Sequence, residues 1–156
     1  MDLYLMQHGE ATTEAENPER PLTEAGRAAV ERVSIRARAA GVHVGVCVHS
    51  GKLRAEQTAL LFVGQLGGQA DVSAREGLAP KDAVAPAAQW LRTATEHNAM
   101  AVIGHLPFLD RLASLLVAGD EEAHVVRFRM GGLVKLEPKE KGEGFAVAWV
   151  LAPELA

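Results

Sequence analysis

His8, Arg54 and His105 lie far apart in a chain of 156 residues, yet each stands just beyond a short apolar run and beside a glycine or a turn. An imidazole titrates near pH 6.5, so at neutral pH it is largely uncharged and a competent nucleophile. Gly9 follows His8 and removes a side chain where an incoming group must approach the ring and backbone. Arg54 offers a planar fork of donors that grips two oxygens of one anion at once. A second imidazole, His105, is suited to carry a proton and to steady oxygens as charge spreads over them. Together these groups fit phosphoryl transfer. Metal binding fits less well, because no His/Cys/Asp cluster has close ligand spacing and an arginine repels a cation. No Gly-rich phosphate loop is present, and Ser50 lacks the glycines of a nucleophile elbow.

The elements that must position these residues alternate between short apolar runs and longer amphipathic stretches. Leu3–Met6 reads as a strand ending on Gln7-His8-Gly9, and Val44–Val48 as a strand ending on His49-Ser50-Gly51-Lys52-Leu53-Arg54. Met100–Ile103 reads as a strand ending on Gly104-His105-Leu106-Pro107, and Ala70–Ser73 as a shorter one. Between them the spacing predicts helices from Thr23, as N-cap, to about Ala40, from Leu53 to Leu66, from Asp82 to His97 and from Pro107 to Val117. Val125–Met130, Leu133–Leu136 and Phe145–Leu151 read as further strands, with the charged stretch Glu137–Gly144 as a hairpin tip. This alternation implies one domain over residues 1–156, a three-layer α/β/α sandwich around a mostly parallel sheet. In such sheets ligands bind beyond the carboxyl ends of the strands, where His8, Arg54 and His105 all fall. The helix that opens near Arg54 adds backbone N–H groups and the positive end of its dipole.

Composition narrows the partners. A formal net charge of −4 with no basic run argues against nucleic acid, whose phosphates select clustered positive charge. No stretch approaches the roughly 20 apolar residues that cross a bilayer, and the N-terminal run is too brief for a secretory segment. The single cysteine, Cys47, lies among valines as a small buried hydrophobe, and points to a reducing, cytoplasmic setting.

The stretches LYLMQHGEA, RPLTEAG at Arg20–Gly26, SGKLRAEQT at Ser50–Thr58 and VIGHLP at Val102–Pro107 together resemble the histidine phosphatase superfamily. Within it they are most similar to the short SixA-like phosphohistidine phosphatases. The resemblance covers most of the chain in the same order and spacing. It implies a phosphoglycerate mutase-like fold, a cofactor-independent phosphatase and a phosphohistidine-bearing protein as substrate, in a chain expected to be monomeric. It also implies that His8 is the phosphorylated nucleophile, that Arg54 and His105 complete the phosphate pocket, and that Arg20 adds a further positive contact.

Two positions depart from the family pattern. Gln7 stands where the family has arginine, and Gly51 where proline is common. Losing one charge-assisted contact of about 1.5–3 kcal/mol lowers transition-state stabilisation on the order of 10- to 100-fold. Gln7 retains an amide donor, which favours weakened turnover over none. Gly51 alters loop stiffness more than chemistry. Larger members carry a carboxylic acid for the departing alkoxide in an insertion that this chain has little room for; Glu76 is the one nearby candidate. General acid catalysis is worth roughly 10²–10⁴-fold to a basic leaving group, whereas an imidazole of pKa about 6.5 departs with little help. The minimal site therefore favours P–N substrates. Two alternatives stay open: a non-catalytic phosphate- or phosphoprotein-binding module, motivated by Gln7, and a phosphatase for small phosphoesters using Glu76. His43, His97 and His124 read as loop residues, His49 as shaping its turn, and Trp90 and Trp149 as core. Asp120-Glu121-Glu122 reads as a solvated loop able to steer a basic partner.

Overall fold

The computed structural model describes residues 1–141 and 143–156. In chain order its elements are β1 (Asp2–Gln7), α1 (Glu24–Ala39), β2 (Val46–His49), α2 (Leu53–Leu66), β3 (Asp71–Ala74), α3 (Ala85–Thr93), β4 (Ala99–Gly104), α4 (Phe108–Ala118), β5 (Leu133–Pro138) and β6 (Phe145–Leu151). They build one six-stranded sheet in the order β3-β2-β4-β1-β5-β6. The first four strands run parallel, while β5 lies antiparallel to β1 and β6 antiparallel to β5.

The uninterrupted apolar runs are explained by burial on both sides of the sheet. In β1, Leu3 and Leu5 enter one core while Tyr4 and Met6 enter the other. β4 does the same with Met100 and Val102 against Ala101 and Ile103. Helices α1 and α2 cover the Tyr4–Met6 side through Val33, Ala37, Ala59 and Phe62. Helices α3 and α4 cover the opposite side through Ala88, Leu91, Leu109 and Leu112. The result is the three-layer α/β/α fold with its mixed, mostly parallel sheet. No helix among the described residues is long and apolar enough to cross a membrane.

Several boundaries differ from expectation for identifiable reasons. The Asp82–His97 helix shrinks to α3, because the Asp82 carboxylate accepts from Ala79 N at 2.8 Å and so belongs to the preceding turn. At its other end the Thr93 hydroxyl donates back to Trp90 O, and the chain leaves helical geometry at Ala94. Ala83, which lies outside the shortened helix, is exposed, whereas Ala87, Leu91 and Ala94 are buried. Trp90 and Trp149 are only partly buried: Arg75 lies 3.7 Å over the Trp90 ring, and Trp149 packs against Tyr4. Strand β2 starts at Val46 and not Val44, and β3 is shifted one residue later than Ala70–Ser73.

Val125–Met130 is not a strand. Its side chains alternate as a strand's do, with Val126 and Phe128 buried and Arg127 and Arg129 exposed. Among the described residues no neighbouring strand supplies main-chain partners, so the alternation reflects packing on one core without a ladder. The acidic stretch after α4 is not wholly solvated either, since Arg111 binds Glu121 at 2.8 Å. The expected tip Glu137–Gly144 joins β5 to β6 and is closed by Lys139 N donating to Gly144 O at 3.1 Å; Gly142 within it lies outside the described residues.

Candidate active site

Strand register brings the two histidines together. Gln7 pairs with Gly104 in the parallel β1·β4 ladder, and His8 N donates to Gly104 O at 3.0 Å, so the next residue on each strand emerges at one level. The His8 and His105 ring centroids are 4.9 Å apart and inclined by 54°. On the far side of β4, β2 pairs His49 with Ile103, which sets Ser50 beside His105. Ser50 Oγ and His105 Nε2 share a hydrogen bond of 2.6 Å. The imidazole of His49 instead accepts from Gly51 N at 3.1 Å and shapes the turn.

The tautomer of His8 follows from its partner. Its Nδ1 lies 2.7 Å from Gly9 O, and a carbonyl only accepts, so Nδ1 carries the proton. In the neutral ring Nε2 then holds the free lone pair. Burial depresses the pKa of His8, the bond to Gly9 opposes this, and the Arg54 and Arg20 guanidinium groups lower it further. His105 is pushed down to about 3, first by burial and then by His8, Arg54, Lys52 and Arg20. Both rings are therefore neutral near pH 7 in the absence of an anion. Arg54, in the first turn of α2, keeps a buried Nε that bonds no described protein group, and the same holds for His105 Nδ1. Lys52 caps α2 without a side-chain hydrogen bond, leaving first-turn N–H groups unmatched by any capping side chain.

The glycine after His8 does something other than clear the pocket. A Cβ on Gly9 would lie 2.9 Å from Val30 Cγ2, 3.0 Å from Gly26 O and 3.2 Å from Leu22 Cδ2. It would therefore strike α1 and its approach loop, and the absence of a side chain serves helix packing. Gly26 faces the same contact from the other side, since a Cβ there would overlap the main chain of Glu10. Gly51 has φ of +88°, a conformation closed to proline, so this turn takes a path that the commoner proline does not permit.

The two longer motifs prove to be interlocked. Thr23 accepts from Gly26 N at 2.9 Å as the N-cap of α1. Gln57 Oε1 accepts from Leu22 N at 2.8 Å, tying α2 to the loop before α1. Thr58, fully buried, accepts from Gly9 N at 3.0 Å and donates to Arg54 O at 2.7 Å. One hydroxyl thus fixes the peptide that orients His8 and the helical turn that carries Arg54. Arg20 sits in the loop closed by Thr12 N donating to Pro21 O at 2.8 Å, and its Nε donates to Thr12 O at 3.1 Å. Its charge bears on His8, Arg54 and His105 alike.

All six residues singled out from sequence, Gln7, His8, Gly9, Arg20, Arg54 and His105, belong to this one sheet edge. Glu76 follows β3 at the same edge, exposed in a turn, and it is not among the groups that bear on either ring. Ser50 and Thr58 escaped the sequence reading as site residues. Ser50 was visible only as the residue after a strand-ending histidine, and Thr58 only as one helical turn beyond Arg54. Among the described residues no group of three or more His, Cys, Asp or Glu side chains is arranged to hold a metal.

Comparison with known proteins agrees with this geometry. The model of the histidine phosphatase superfamily, branch 1, matches residues 3–83. An uncharacterised protein of Picosynechococcus is 31% identical over 142 residues, spanning 87% of this chain and 84% of its own. Among solved structures, the protein histidine phosphatase SixA in complex with tungstate superposes with a TM-score of 0.81 at 24% identity, covering 98% of this chain and 97% of that one. The alpha-ribazole phosphatase of Shigella flexneri superposes with a TM-score of 0.76 at 16% identity, covering 94% and 95%. At those identities the structural likenesses speak to fold alone.

Proposed function

Since the chain belongs to the histidine phosphatase superfamily, branch 1, we propose that it hydrolyses protein phosphohistidine through a phospho-His8 intermediate. His8 Nε2 attacks phosphorus while the P–N bond of the substrate breaks, and the substrate imidazole, already protonated on its other ring nitrogen, departs neutral with that proton. Water then attacks phospho-His8, releasing inorganic phosphate and restoring the neutral ring. Arg54 and Arg20 hold the phosphoryl oxygens. His105, oriented by Ser50, becomes protonated beside the phosphoryl dianion and donates to it. Gln7 lends its amide where the family arginine would stand.

The observation that carries the substrate class is the charge around the two rings. Arg54 and Arg20 bear on His8, and His8, Arg54, Lys52 and Arg20 bear on His105, with no carboxylate among these groups. Such a pocket suits an imidazole leaving group, which departs without a strong acid, better than an alkoxide. The resemblance to SixA, a protein histidine phosphatase, supports the same choice. The fold shared with an alpha-ribazole phosphatase supports an ester reading, which for this chain requires Glu76 as acid.

Incubation with phosphoramidate and with a phosphohistidine-bearing protein tests the reading. Wild-type protein is expected to release phosphate from both and to carry acid-labile phosphate on His8, bonded at Nε2. Turnover no faster than that of His8→Ala sinks the enzyme reading in favour of a non-catalytic binding module. A clear preference for phosphoesters, lost in Glu76→Gln, transfers the protein to the ester class.

A further inference from the structure

A groove of about 520 Å³ opens beside the catalytic pocket. One wall is the corner after His105, made by Leu106, Pro107 and Asp110; the other is the extended segment from His124 through Arg129. Its apolar lining comes from Val126, Phe128 and Leu106, the last 40% exposed. The segment is held at both ends. Val125 N donates to Ser114 Oγ at 3.3 Å, and Gly131 N donates to Gln7 O and His8 O at 2.9 and 3.2 Å. Between these anchors, no described protein group bonds the main-chain N–H or C=O of Val126, Arg127 or Phe128. This is the stretch whose sequence alternates like a strand and which has no partner strand.

Two arginines and one carboxylate line the groove, with further carboxylates at its rim. Arg127 and Arg129 project from the segment, and Arg129 lies 3.6 Å from Glu154, with both side chains exposed. On the opposite wall Asp110 Oδ2 accepts from His124 Nδ1, while its buried Oδ1 bonds no described protein group. Glu122 lies 3.9 Å from the other His124 nitrogen, at the rim.

Taking the phosphohistidine reading above as its basis, we propose that this groove receives the substrate polypeptide next to its phosphohistidine. It lies as an extended acidic segment, pairing its main chain with Val126–Phe128 and setting carboxylates against Arg127 and Arg129. An unpaired extended segment recruits a strand through main-chain bonds, and alternate side chains then supply selectivity. Its anchors to Gln7 O and His8 O fix the groove to the catalytic strand, so that a docked chain enters the pocket in a set register.

The test uses peptides that carry a non-hydrolysable phosphotriazole analogue of phosphohistidine, flanked by glutamate or by lysine. Wild-type protein is expected to bind the glutamate peptide about 10-fold more tightly at low salt, with the preference shrinking as salt rises. The double variant Arg127→Glu/Arg129→Glu is expected to lose or reverse that preference, while its hydrolysis of free phosphoramidate stays at the wild-type rate. Main-chain N-methylation of the glutamate peptide beside the analogue is expected to weaken binding several-fold. Equal affinity for the two peptides overturns the proposal, as does a preference that survives in a double variant whose thermal unfolding matches wild type. If N-methylation has no effect, strand pairing is wrong. Failure of wild-type protein to hydrolyse phosphoramidate counts against the catalytic reading alone, because peptide preference is read without turnover.

Discussion

At the residue scale the unusual feature is Gln7. It ends β1, is almost wholly buried, and stands next to His8, the proposed nucleophile, in a pocket where Arg54 and Arg20 are the other groups proposed to hold an anion. An amide donates neutral hydrogen bonds, and a guanidinium contributes charge as well. Gln7→Arg is therefore expected to raise kcat/KM for phosphoramidate by about 10-fold, the value of one charge-assisted contact. An unchanged or lower value in steady-state kinetics would show that Arg20 already fills this role. The same guanidinium gives a second prediction with a fixed sign. Arg20 lowers the pKa of both histidines, so Arg20→Gln lets both rise. A nucleophile that protonates more readily loses activity at higher pH, so the acidic limb of kcat/KM moves upward. A limb that stays in place, or moves to lower pH, contradicts the assigned cause.

At the scale of elements, the site is a meeting of strand ends and first turns, and this is where the sequence was most and least readable. Leu3–Met6 and Met100–Ile103 announce strands because burial on both faces leaves no polar interruption, and their ends therefore point to His8 and His105. Val125–Met130 carries the other strand signature, an alternation of buried and exposed side chains, without a ladder, because patterning records which side chains are buried and not who bonds the main chain. Gly9 was legible as a required glycine, but its reason was not, since the atoms it makes room for lie on Val30, Leu22 and Gly26. Thr58 was silent for a similar reason: its partners, Gly9 N and Arg54 O, come from two elements whose contact no local pattern encodes. Thr58→Val preserves shape and removes both bonds, leaving Gly9 N–H buried without an acceptor. The expected loss is about 1–3 kcal/mol of stability in chemical denaturation. A fall in kcat is expected alongside it, because the peptide that orients His8 and the turn that carries Arg54 lose their shared anchor. Full activity at reduced stability would show that this hydroxyl supports the fold alone.

At the scale of the whole molecule, the site is a store of unfavourable protonation. His105 takes up a proton only near pH 3 in the folded chain and near 6.5 when unfolded, and His8 is shifted in the same direction. Their contribution to stability is complete above the unfolded value and is lost progressively as pH falls from 6.5 through the folded values. A dianion lodged between the two rings and Arg54 reverses the preference, because it favours the charged imidazoles. Anion binding is then coupled to proton uptake, and affinity must rise as pH falls. Sulfate keeps one charge state across this range and separates the effect from titration of the ligand. The rise in Tm at fixed sulfate, with chloride balancing ionic strength, is expected to be larger near about pH 5.5 than near about pH 8. His105→Asn should abolish most of that difference while remaining folded, since Ser50 still finds a side-chain partner. Equal increments at the two pH values, or an undiminished difference in the variant, would place the anion elsewhere on the surface and detach the titration of these rings from phosphate binding.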